Sequence, residues 1–103
     1  MKVLHVVNRS PTESRTLEIC LARAGKEDSI LLMANAVYGA VRNTASTIPL
    51  NLLTDRQILL FALSPDLDAR GFGAADVLEK VQLVDYAGFV ELTVSHRLTQ
   101  SWF

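Results

Sequence analysis

Four short apolar runs punctuate the chain: Val3–Val7 (VLHVV), Ser29–Met33 (SILLM), Ile58–Leu63 (ILLFAL) and Val81–Val84 (VQLV). Each has the length of a strand, and the first three are almost unbroken where a half-exposed strand would alternate. Unbroken runs of this kind belong to strands covered on both faces, as in a parallel sheet between helical layers. Between the runs the period changes to that of a helix. Leu17, Cys20, Leu21 and Ala24 fall at i, i+3, i+4 and i+7, one apolar stripe that Gly25 is expected to stop. Upstream, Ser10, Pro11 and Glu13 form a capping-box pattern that starts a helix or a short turn leading into it.

A second helix is predicted from Asn35 to about Val41, apolar or small around its whole circumference. Such a helix is sandwiched within the domain or pressed against another chain, which makes Val37, Tyr38 and Val41 candidate partner-facing residues. Residues 46–57, STIPLNLLTDRQ, read as an irregular or short helical crossover. Ser64 and Pro65 start a helix of a turn or two that ends at Gly71. The last helix starts at Asp85, carries Tyr86, Phe89, Val90 and Thr93 on one side and runs to about His96, leaving RLTQSWF as a tail. Strand–helix alternation over 103 residues predicts one domain, 1–103. Its class is α/β, a three-layer sandwich with right-handed crossovers on a small, mostly parallel sheet of four to five strands.

Composition adds a partner and removes several function classes. Half the residues are hydrophobic and 20% are charged, richer in apolar side chains than a small monomer needs, so part of the surface is expected to be covered. Ten basic against eleven acidic residues leave no electrostatic footprint for nucleic acid or an anionic membrane. A single cysteine makes no internal disulfide, and MKVLHVV is too short for a signal peptide or a span. A soluble, reducing, cytoplasmic setting is expected.

No glycine-rich phosphate loop, Cys/His metal cluster or nucleophile elbow occurs, so neither cofactor nor metal is expected. His5 reads as a hydrogen-bonded residue of the core or a strand edge, and His96 as a helix-end residue suited to the dipole. Asp66 and Asp68 read as a solvated helix start, with Arg70 near its end. Trp102 anchors the tail in a groove on this chain or on a neighbour. Cys20 has two readings: a small apolar residue in the core, or a thiol that handles sulfur. Its place about a turn before Gly25 disfavours a thiolate, since unpaired carbonyls gather at a helix C-terminus. Arg23, three residues on, offsets that in part.

Three stretches together, LHVVNRSP (Leu4–Pro11), DLDARGF (Asp66–Phe72) and VDYAGFVELT (Val84–Thr93), closed by QSW, resemble the DsrH/TusB family. That family supplies the small subunit of the DsrEFH and TusBCD sulfur-relay complexes. The resemblance implies an α/β fold with a parallel sheet. It implies a non-catalytic or accessory subunit of a sulfurtransferase heterohexamer, with DsrE/TusD-like and DsrF/TusC-like partners and persulfide passed to a small DsrC/TusE-type carrier. The sulfur then ends in 2-thiouridine at the tRNA wobble position, or the pathway is sulfur oxidation. The principal persulfide cysteine of the family lies on another subunit, and the resemblance implies Cys20 as a candidate, secondary sulfur acceptor. A cysteine in the first helix is a DsrH trait that many TusB-type members lack, so LEICL points to the DsrH branch. The family often has Asp-Gly where this chain has Asn35-Ala36. A second expectation, from a different class, is a stand-alone domain binding a small ligand at the carboxyl ends of the first two strands, near Asn8, Arg9 and Asn35.

Overall fold

A computed structural model describes residues 2–12, 14–44, 47 and 57–102. Five strands form one sheet in the order β4-β3-β2-β1-β5: β1 (Val3–Val7), β2 (Ser29–Leu32), β3 (Leu59–Leu63), β4 (Val81–Val84) and β5 (Leu98–Trp102). Every pairing is parallel. The α/β sandwich read from the sequence is the observed one. The expected tail is not a tail: its residues pair with β1 from Val3↔Leu98 to Val7↔Trp102 and add an edge strand.

Helices α1 (Thr16–Arg23) and α2 (Ser64–Ala69) lie on one face of the sheet together with a 3-10 segment, Ala34–Ala40. The main core forms between them and the sheet, from Leu17, Cys20, Leu21, Ile30, Leu32, Val37, Leu60, Leu67 and their neighbours. Helix α3 (Tyr86–Ser95) covers the other face, where Phe89 and Leu92 pack against Leu4, Val6, Leu31 and Phe61. This second core is small. Burying a leucine such as Leu31 completely contributes about 2 kcal/mol, so the larger face carries most of the stability.

Three local features differ from expectation. The segment expected as an α-helix from Asn35 to Val41 winds with three residues per turn, because its buried positions, Ala36, Val37, Gly39 and Ala40, recur at that period. Val37 and Val41 are therefore sealed inside the chain's own core, at 0% and 5% exposure, and present no side chain to a partner. Helix α1 ends at Arg23, with Ala24 already extended, so Gly25 is not its left-handed stop. Ser10 nucleates a turn, with Thr12 N donating to its Oγ and Ser14 N to its carbonyl, ahead of a helix that begins at Thr16. Glu13 lies outside the described residues, as does the crossover expected over 46–57 apart from Thr47 and Gln57.

The remaining boundaries follow the sequence signals. Pro65 sits in the first turn of α2, and Gly71, at φ +82°, takes the left-handed position that ends it. Asp85 caps α3 by accepting from Gly88 N at 2.8 Å. Among the described residues no helix is long and apolar enough to cross a membrane.

Candidate functional site

Cys20 projects from the buried stripe of α1 and is wholly inaccessible, at 0% exposure. Burial, with a further contribution from the nearby charge of Asp28, pushes its thiol up to about 12. A thiol with that affinity for its proton is a poor nucleophile at neutral pH, and its side chain has no exposed surface. The structure gives Cys20 the core position.

Asp28, in the loop before β2, gathers three donors. Its Oδ1 accepts from Val3 N at 3.0 Å, and its Oδ2 from Gly25 N and from His5 Nε2, each at 2.8 Å. Burial opposes ionisation of this carboxyl, but the donors from His5, Val3 and Gly25 outweigh it and hold the group below its ordinary value. The Nδ1 of His5 accepts from Trp102 Nε1 at 3.1 Å, with ring centroids 6.0 Å apart. Trp102, expected in a groove on this chain or a neighbour, thus sits half-buried on its own chain against the main core.

The carboxyl ends of β2 and β3 meet in a second polar cluster. Arg70 donates to Asn35 Oδ1 through Nε and Nη2, at 3.1 and 2.8 Å, and to the Asp66 carbonyl through Nη1, at 2.9 Å. Asp66 Oδ2 accepts from Ala34 N at 2.6 Å. Asp66 and Arg70 thus brace the start of the 3-10 segment, while Asp68 is exposed. Asn35, expected to contribute to a ligand crevice with Asn8 and Arg9, is occupied by Arg70; Arg9 is exposed and Asn8 half-buried. A shallow hollow of about 260 Å³ opens at the opposite, amino end of the sheet, lined by Lys2, Glu27, Gln57 and Leu59. His96 ties α3 to β2: its Nδ1 bonds the Leu92 carbonyl at 2.7 Å and its Nε2 bonds Ser29 Oγ at 2.8 Å. Among the described residues no three acidic, His or Cys side chains converge on a metal-binding arrangement.

Among the described residues the most exposed apolar side chains form a row on α3. Tyr86, Val90 and Val94, spaced four apart and therefore in one row, are 57%, 60% and 81% exposed. Sequence reading grouped Tyr86 and Val90 with Phe89 on one face. The structure separates them, turning Phe89 and Leu92 inward and Tyr86 and Val90 out. The signal that identifies this row is the one applied to residues 35–41: a helix apolar on all sides needs a second neighbour, and Glu91 is the only charged residue within α3. Tyr38, on the outward side of the 3-10 segment, is half-buried and meets Phe72 edge-to-face at 5.7 Å.

Known proteins share both fold and sequence with this chain. The ychN protein from E. coli superimposes with a TM-score of 0.79 at 18% identity, covering 98% of each chain. A Thermotoga maritima protein solved by solution NMR gives 0.64 at 26% identity, covering 89% of this chain and 91% of its own. Protein TusB of Serratia proteamaculans is 35% identical over 100 residues, 97% of this chain and 100% of that protein. The TusB proteins of Yersinia enterocolitica and Buchnera aphidicola are 33% and 32% identical over the same coverage. Residues 9–99 match the family described as DsrH like protein, and the chain therefore belongs to the DsrH family.

Proposed function

We propose that this chain is an accessory subunit of a cytoplasmic sulfur-relay complex, presenting a docking face and leaving persulfide chemistry to a thiol on another subunit. The observation that carries this reading is the exposed row Tyr86–Val90–Val94 on α3. Three apolar side chains aligned in water are costly for a monomer and ordinary for a subunit. The sealed, protonated Cys20 supports the second half of the proposal, because a relay thiol must reach its donor and acceptor as a thiolate.

The partners in this reading are DsrE/TusD-like and DsrF/TusC-like subunits in a heterohexamer, which hands sulfur to a DsrC/TusE-type carrier. Similarity to proteins named TusB favours delivery toward tRNA wobble uridine. Cys20 in α1 is the feature that favours the sulfur-oxidation branch.

Co-expression with the two related subunits tests the reading. Wild-type chain should co-elute with them as one species on size exclusion, and Val90→Asp should weaken that association at least tenfold, because an unpaired carboxylate would be buried at the interface. The proposal fails if the wild-type chain elutes apart from both subunits. If Val90→Asp assembles like wild type, the docking face is not the α3 row.

A further inference from the structure

The indole nitrogen of Trp102 only donates, so the His5 Nδ1 that it meets at 3.1 Å must offer a lone pair. The ring's proton is then on Nε2, where Asp28 Oδ2 accepts it at 2.8 Å. Its partners thus fix His5 as the neutral Nε2–H tautomer. A second proton has one place to go, Nδ1, and there it confronts the indole N–H. Donor would face donor. The bond to Asp28 survives that protonation and the bond to Trp102 does not.

What depends on the Trp102 bond is β5. The strand lies at the sheet edge, pairs only with β1, and exposes Leu98 through Ser101. Trp102 is its one half-buried residue and the one whose side chain packs on the main core. We propose that His5 and Trp102 form a proton-operated latch: neutral His5 holds β5 on the sheet, and the imidazolium releases the indole and loosens the strand. The groups packed around the ring leave the conflict at Nδ1 uncompensated. Asp28, from the loop before β2, faces the other nitrogen, and Cys20 of α1 lies near that carboxylate as a neutral thiol. The register neighbours of His5 are Ile30 on β2 and Gln100 on β5, neither of which ionises.

The chain has one tryptophan, so its indole N–H gives a single NMR signal. On the full chain, the protection factor of that proton against solvent exchange is followed as pH is lowered, alongside the ring protons of His5. His96→Gln distinguishes the two histidines. Indole protection is expected to fall at least tenfold in step with the His5 titration, with the amides of β5 following. In His5→Phe, which keeps a ring and titrates nothing, indole exchange should be independent of pH over the same range. Three results would each overturn the latch: indole protection unchanged while His5 titrates, a His5 ring that does not titrate before the whole chain unfolds, or the wild-type pH response persisting in His5→Phe. The first two do not need His5→Phe to fold, and none depends on whether the chain joins a sulfur-relay complex.

Discussion

Asp66 Oδ2 accepts a hydrogen bond from Ala34 N at 2.6 Å, and Ala34 is held there with φ at +49°, in the left-handed region. The carboxylate, at the start of α2, thus fixes the turn by which the chain leaves β2 for the 3-10 segment. An alanine in that conformation costs roughly 1 kcal/mol, which glycine would not incur. Ala34→Gly is accordingly expected to leave stability unchanged or raise it by up to ~1 kcal/mol. Asp66→Asn, which weakens a charge-assisted bond, is expected to lower it by about 1–2 kcal/mol. Urea midpoints of the two variants against wild type check both signs. If Ala34→Gly destabilises by more than the glycine entropy cost, the turn is not under strain.

Cys20→Ser places a hydroxyl where a thiol sits among Leu17, Leu21 and other apolar side chains, and is expected to cost about 1–3 kcal/mol. In the proposed sulfur-relay complex, sulfur transfer to the carrier should survive at close to the wild-type rate. Native chain should react with a maleimide far more slowly than unfolded chain, in keeping with a thiol pushed up to about 12. Abolished transfer with normal assembly would make Cys20 an obligatory relay.

Asp28 links stability to pH. Because its folded value lies below the ordinary 3.8, the unfolded chain binds the proton more readily. The contribution is therefore present in full above the ordinary value and disappears as pH falls through the lower folded value. Denaturant midpoints between pH 6 and pH 3 should fall more steeply for wild type than for Asp28→Asn. At neutral pH the variant should already be less stable by about 1–3 kcal/mol, having lost charge-assisted bonds to Val3 N, Gly25 N and His5. Parallel pH profiles would show that Asp28 does not supply the acid sensitivity.

The α3 row predicts the behaviour of the isolated chain. Without partners it should self-associate at high concentration and bind a hydrophobic dye, and Val90→Lys with Val94→Lys should reduce both while leaving the unfolding free energy within ~1 kcal/mol of wild type. Light scattering and dye fluorescence measure this. A strictly monomeric wild-type chain would remove the row as an explanation for association.

The elements most legible in the sequence are those that bury the most apolar side chains. β1, β2 and β3 announce themselves as unbroken apolar runs, and α1 as a stripe whose members all reach the core. β5 does not, because an edge strand of Leu98, Thr99, Gln100, Ser101 and Trp102 has little to bury, and its place beside β1 is set by tertiary pairing. The same limit applies to the site. Composition marks residues 35–41 and 86–94 alike as apolar, but only the packing shows that Val37 and Val41 are consumed within the chain while Val90 and Val94 are left outside. His5 and Trp102 lie in stretches that carry the family resemblance, but no spacing in the sequence joins them to each other or to Asp28, since the bond between His5 and Trp102 spans 97 positions.

That span bears on how the protein is made. β1 leaves the ribosome well ahead of β5, and its outer edge receives that strand only after some ninety further residues have been translated, roughly 5–20 s later at about 5–20 residues per second. Until then Val3–Val7 offers an uncovered row of backbone donors and acceptors on one side, next to an apolar face that α3 has yet to cover. The nascent chain is thus most open to mispairing in the interval before β5 emerges. Truncation ahead of Leu98 should therefore yield an aggregation-prone product even though every main-core residue is already present.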